Sequence, residues 1–255
     1  MKILAFLVLL FSAQLMSQQN IRFDSLQLRG VSDFFADDYG NLYLYKNQDF
    51  SFTKYDPKAK QLGKVMLTVP FRVQSVQNPL NIFLFSENNQ ELKMLDANLN
   101  EIQRVDFRTQ FGFVKAAYTE DLQQVWLLDE SSKRLVQYSY RNNVEINSFP
   151  LNINFDVLKG ILVFDKKLYT ISEDRFTVYD FKGNLLFDQQ MDHPKKLYRE
   201  NEDVYIICEK EIFRYRNSQT IENVFFKKDA KIVDKNSSSY FELKGGKFYL
   251  YKIEK

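Results

Sequence analysis

The sequence predicts an all-β chain wound as a ring of six four-stranded antiparallel sheets, and three observations lead there. Six aromatic residues, Tyr43, Phe83, Trp126, Tyr169, Tyr205 and Tyr240, recur 35 to 43 residues apart, each inside a short strand-like run. A period of that length marks a repeat architecture. A second series trails the first by about 11 residues, at Tyr55, Leu95, Tyr138, Tyr179, Tyr215 and Tyr251. Finally, the sixth unit lacks its last run, while a spare run, Phe23 to Leu28, precedes the first unit. Joining the two closes the ring and hides the sheet edges that a row of repeats would otherwise expose. The architecture is a six-bladed β-propeller whose N-terminal strand completes the last blade.

Each unit consists of four β-rich runs separated by Asn, Asp, Gly, Ser or Pro, the alternation expected of strands and turns. Blade 1, about 31–68, contains Phe34-Phe35-Ala36, Leu42-Tyr43-Leu44-Tyr45, Phe52-Thr53-Lys54-Tyr55 and Leu62 to Leu67. Blade 2, about 71–107, runs from Phe71-Arg72-Val73 to Ile102-Gln103-Arg104-Val105. Blade 3, about 113–151, opens on Phe113-Val114-Lys115 and holds the single tryptophan. Blade 4, about 155–190, opens on Val157-Leu158-Lys159. Blade 5, about 195–226, opens on Lys196-Leu197-Tyr198. Blade 6 joins about 230–255 to 21–28. With only 8 glycines in the chain, asparagine is expected to supply many turns, since it tolerates the left-handed conformation. Most aromatics alternate with polar residues inside these runs, which assigns them to packing between blades. Tyr39, Phe50 and Phe111 are the rings expected in loops.

Ahead of this domain, Lys2 and the apolar run Ile3 to Phe11 are followed by small and polar residues up to Ser17. That is the layout of a secretory signal peptide, and nine apolar residues are too few to span a bilayer. Residues 1–17 are therefore expected to be an export signal and 18–255 a single domain, periplasmic or extracellular and peripheral to a membrane at most. The 35 basic and 33 acidic residues nearly cancel, so no global field draws the chain to nucleic acid. Cys208 stands alone, without a partner for a disulfide and without the electropositive setting that activates a thiol.

The segment Asp37-Asp38-Tyr39-Gly40-Asn41-Leu42-Tyr43 resembles the D-x-x-G-N-hydrophobic-Y signature of NHL/TolB-like six-bladed propellers. The apolar-x-x-aromatic-Asp motif of such blades is similar to Phe52 to Asp56 and Phe176 to Asp180. Later blades depart from the first motif: Pro79-Leu80-Asn81, Leu122-Gln123-Gln124 and Lys166-Lys167 occupy the same turn. The resemblance implies the fold. It does not choose a function, because enzymes, ligand binders and scaffolds share it.

In a propeller the second-to-third and outer-to-inner connections crowd one mouth of the central channel. That placement nominates Asp33, Asp49, Phe50, Arg72, Phe111, Lys115, Asp129, Asp156, Arg175, Lys196 and Lys231 as a binding face of mixed charge. No catalytic residue, metal ligand or cofactor is assigned. A nucleophile–histidine–carboxylate hydrolase would have to use His193, the one imidazole, and there is no G-x-S-x-G elbow, phosphate loop or dinucleotide fingerprint. The expected function is non-catalytic binding of a protein or envelope component. An extracytoplasmic hydrolase or lactonase, metal-dependent or not, is the alternative. The partner and the oligomeric state are left open.

Overall fold

The structure, a computed structural model, describes residues 18–253 apart from 24, 120, 217 and 218. The expected signal segment 1–17 lies outside the described residues. Six four-stranded antiparallel sheets follow one another around a ring. Their inner strands are Asp33–Ala36, Arg72–Ser75, Val114–Thr119, Gly160–Phe164, Lys196–Glu200 and Ile232–Lys235. The outer strands of the first five blades are Gln61–Met66, Glu101–Asp106, Val144–Pro150, Leu185–Gln190 and Thr220–Phe226. Six buried hydrophobic clusters lie one between each pair of neighbouring blades. Of the first aromatic series all but Phe83 are buried, and of the second all but Tyr179. The double echo is thus the packing code of the blade interfaces.

The ring closes as expected, but the closing strand begins five residues earlier in the chain, at Gln18 instead of Phe23. Gln18–Ile21 is the strand that pairs antiparallel with Lys247–Lys252, placing Ile21 opposite Phe248. The run expected as the strand instead contains a short helical turn, Ser25–Leu28. The physical reason is geometric. The chain must travel from the outer edge of blade 6 to the channel side of blade 1, and an extended segment there would continue along the edge. The turn lets Leu28 and Val31 plug the seam between blades 6 and 1, where Phe23 packs on Tyr55 and Phe248 at 5.2 Å from each. Across the same seam, Lys231 Nζ donates to the Val31 carbonyl at 2.8 Å and Asn236 Nδ2 to the Asp37 carbonyl at 2.8 Å.

A second difference concerns blade 4. Val157-Leu158-Lys159 is a connection, and the inner strand is the apolar run that follows, Gly160–Phe164. Its three central residues are buried, as befits a strand with blades on both faces. Leu158 is buried as an anchor, while Val157 stays 48% exposed.

Turn chemistry also departs from the expectation about asparagine. Among the described residues only Asn143 and Asn201 of the asparagines have positive φ; Phe50, Ala59, Leu99 and Lys133 are among the others. What repeats is an aspartate. Asp37 Oδ1 accepts the amides of Tyr39 and Asn41, and Gly40 takes φ 87°. Asp56, Asp96 and Asp180 accept the amides two and four residues on in the same way. In these turns Ala59, Leu99 and Gly183 hold the positive φ. The carboxylate satisfies two backbone donors at once, so the turn tolerates a residue other than glycine at its strained position. The last three are turns between the third and outer strands, so the motif read once in blade 1 recurs at a different place in the blade.

Phe248 is fully buried at the closure seam. Phe248→Ala should cost about 3–5 kcal/mol of unfolding free energy and lower the melting temperature by roughly 10 °C. Leu185→Ala, on an exposed outer strand, should stay within about 0.5 kcal/mol. Equal effects in thermal denaturation would show that the ring does not depend on its seam.

Candidate functional site

Two inner strands are bulged, and the bulges decide which side chains reach the neighbouring blade. The register of blade 2 shifts between Val73 and Ser75, which sets Gln74 apart from the ladder. Gln74 spans to blade 3, donating to the Ala117 carbonyl and accepting from the Thr119 amide at 3.2 Å and its hydroxyl at 3.0 Å. In blade 3 the shift falls between Val114 and Ala116. The extra residue, Lys115, reaches Glu87 of blade 2 at 2.8 Å. A bulge re-aims a side chain in this way while keeping the rest of the sheet in register. From the far end of the inner strand of blade 2, Gln77 Nε2 donates to the Arg199 carbonyl of blade 5 at 3.2 Å. Blades 2 and 5 are opposite members of the ring, so this bond crosses the channel axis.

The wall formed by blades 5, 6 and 1 is filled by charge. Lys196 Nζ lies 2.8 Å from Asp33 Oδ1 and 3.0 Å from Asp234 Oδ2, and donates to the Phe34 carbonyl at 2.5 Å. Its ammonium also sits 3.8 Å from the centre of the Phe35 ring. Burial opposes the charge on Lys196, yet Asp234 and Asp33 outweigh it, and its pKa lies above the ordinary lysine value. Burial pushes the Asp234 carboxyl up to about 6. Next to it, Lys235 pairs with Glu200 at 2.5 Å between the rings of Tyr198 and Tyr205. Burial lowers the Lys235 pKa against the pull of Glu200.

Four of the residues nominated from sequence meet in one place. Arg72, Lys115, Asp156 and Arg175 line a depression of about 600 Å³ at the mouth of blades 2 to 4, together with Glu87, Val157 and Lys159. Glu87 bridges two of them, at 3.5 Å from Arg72 and 2.8 Å from Lys115. Asp33 and Lys196 belong to the ion triad instead. Asp129 is buried, holding Ser132 and the Arg134 guanidinium at 3.2 Å, a fixture of its own turn. Lys231 is spent on the closure seam. Asp49 accepts the Ser51 amide at 3.1 Å. Of the three loop rings, Phe111 is buried edge-on to Tyr138, Phe50 is half-buried against the core between blades 1 and 2, and Tyr39 is 73% exposed.

His193 sits on an exposed connection, its Nδ1 2.6 Å from Asp192. Cys208 is buried between blades 4 and 5, and burial pushes its thiol up to about 12, which keeps it neutral. Among the described residues no group of three His, Cys, Asp or Glu side chains is placed to hold a metal. Asp234, Lys235, Glu200, Gln74 and Gln77 escaped the reading of the sequence. The Asp234-Lys235 pair did carry a signal: two adjacent charges ending the apolar run Ile232-Val233, where a buried charge demands a partner.

No protein-family model and no curated protein sequence matches the chain. Solved structures match it as a fold. A streptogramin B lyase shares 11% identity over 94% of this chain and 88% of its own, with a TM-score of 0.56. A catalytically inactive virginiamycin B lyase from Staphylococcus aureus, solved with quinupristin, shares 10% over 88% and 80%, at 0.52. PorZ, described as an essential bacterial surface component of the type-IX secretion system of Porphyromonas gingivalis, shares 15% over 91% of this chain, at 0.55. This chain spans 34% of PorZ. These likenesses establish the six-bladed propeller and nothing about chemistry.

The triad makes stability depend on pH in a stated direction. Folding raises the Asp234 pKa, so the folded chain holds this proton more tightly than the unfolded one, and stability falls as pH climbs from about 4 to about 6. Lys196→Met leaves Asp33 and Asp234 facing each other with no cation between them. The substitution should cost about 3–5 kcal/mol at pH 7.5 and clearly less at pH 5, where Asp234 takes up its proton. Urea denaturation at both values checks this, and a cost independent of pH would contradict the triad.

Proposed function

We propose that the chain is an exported, non-catalytic β-propeller that binds a protein or other envelope component through the mouth carrying its second-to-third and outer-to-inner connections. The observation that carries this reading is the depression at that mouth. It is lined by Arg72, Lys115, Lys159 and Arg175 together with Glu87, Asp156, Glu173 and Asp174, and by the exposed Val157. A broad, mixed-sign surface with an exposed apolar residue among the charges suits a polypeptide, whose own charges set orientation and register. The walls are held by bonds that cross between blades, so the surface is stiff before a partner arrives and little ordering entropy is lost on binding.

A hydrolase on this fold would need carboxylates that converge with spare proton or metal capacity. Asp33 and Asp234 do converge, but on Lys196, whose ammonium bridges them. Export is supported by the layout of residues 1–17, and the likeness to PorZ adds only the fold.

The reading is tested by placing a photoreactive benzoylphenylalanine at position 157, and as a control at position 185, in cells that make the protein. A discrete adduct with one polypeptide is expected from position 157 and not from 185. Combining Arg72→Glu with Lys115→Glu should reduce that adduct about tenfold, since reversing paired interface charges costs more than about 1.4 kcal/mol. Indistinguishable adducts from the two positions would overturn the assignment of the face.

A further inference from the structure

Below the mouth, the channel widens between the inner strands of blades 2 to 5 into a cavity of about 500 Å³. This lies within the range of small-molecule sites. One part of its wall is apolar, with Phe83, Leu122, Ile161 and Leu162. The polar part is not symmetric in charge. Of the four cations lining it, Arg72 is paired with Glu87, Lys195 with Glu209 and Lys196 with Asp33 and Asp234. Arg199 alone has no carboxylate within ion-pair distance among the described residues.

Arg199 is nonetheless held in place. Its guanidinium lies 3.5 Å from the centre of the Phe164 ring, and its Nε donates to the Asn201 carbonyl at 3.0 Å. Stacking and the Nε bond fix the plane of the fork and leave its two terminal nitrogens to a ligand. Beside it, Tyr198 borders both this cavity and a void of about 20 Å³, its hydroxyl buried without a hydrogen-bond partner. A buried hydroxyl left unpaired in a folded chain marks a place where water or a ligand supplies the missing bond.

We infer that the channel cavity is a binding site for a small organic carboxylate with an apolar or aromatic body. The carboxylate pairs with the Arg199 fork, which offers two parallel donors in the geometry a planar carboxylate accepts. The apolar body lies against Phe83, Leu122, Ile161 and Leu162. A dianionic phosphate fits less well, because the other three cations of the wall are already neutralised and one guanidinium leaves its second charge unmatched. This site shares only Arg72 with the mouth depression and does not rest on the protein-binding reading.

The test titrates phenylacetate and hexanoate against the chain from residue 18 onward, followed by ligand-observed saturation-transfer NMR and by calorimetry. Saturable binding of at least one probe is expected. Arg199→Gln should weaken it about tenfold or more, the loss of a bidentate charge-assisted pair, and Arg199→Lys should lie between, keeping charge without the fork. Ile161→Trp should abolish binding by filling the cavity. Circular dichroism melts show that each variant folds, and the adduct from position 157 should survive Arg199→Gln, which separates failure of this site from failure of the mouth. No saturable binding of either probe would overturn the proposal, as would binding indifferent to Arg199→Gln, or inorganic phosphate displacing the probe at equal concentration.

Discussion

Everything in this molecule depends on a ring that must close before any blade is secure. The six hydrophobic clusters lie between blades, so an open end leaves one blade face without a partner and one core half-exposed. The seam between blades 6 and 1 is therefore built from residues far apart in the chain. Ile21 lies opposite Phe248, Leu28 and Val31 fill the gap, and Lys231 and Asn236 bond to main-chain carbonyls of the opening segment. The last two are hydrogen bonds to backbone, so they fix position without demanding a particular partner side chain. Closing a loop of some two hundred residues costs entropy that grows only slowly with length, and a packed seam of this size offsets it.

Closure also explains why so much charge can sit at the centre. Lys196 with Asp234 and Lys235 with Glu200 join the consecutive blades 5 and 6, but Asp33 of blade 1 reaches Lys196 only when the circle is complete. In an incomplete ring Asp33 would be solvated singly. Once buried, each requires the others, because an unpaired charge in the channel wall costs more than the pair contributes. The triad works less as a source of stability than as a condition on geometry: a blade displaced by a few ångströms leaves a charge stranded. On the other side of the axis, bulges at Gln74 and Lys115 turn side chains into struts between blades 2 and 3. One half of the channel is thereby filled, and the other half stays open as a cavity.

The sequence displayed what is periodic. Aromatic echoes report interfaces between blades because each interface repeats the same packing problem, and a missing strand at one end matched a spare segment at the other. It could not display what is single. The strand that closes the ring lies at Gln18–Ile21, not Phe23 to Leu28, because a two-fold pattern cannot distinguish an edge strand from a turn whose apolar residues plug a seam. Val157-Leu158-Lys159 looked like a strand for the same reason. Phe111 looked like a loop ring, yet a loop between blades must itself bury something, and Phe111 is that something. The bulges carry no composition of their own, so the reach of Gln74 and the posture of Lys115 were invisible. Four of the eleven nominated face residues nonetheless share one depression, since the rule that placed them, which connections crowd the mouth, is topological.

The turns show how one chemical device can stand in for a residue type. A β-turn with positive φ at its fourth residue usually calls for glycine, and this chain has 8. Asp56 and Asp96 each bind two amides of their turn, and the strained position is filled by Ala59 in one and Leu99 in the other. Two charge-assisted bonds outweigh the roughly 1 kcal/mol that a left-handed residue with a side chain costs. The substitution has a consequence beyond the turn. Leu99 is buried in the core between blades 1 and 2, a contact that glycine could not make. The carboxylate that rescues the turn thereby frees its fourth position to serve the interface, and the blade gains packing there.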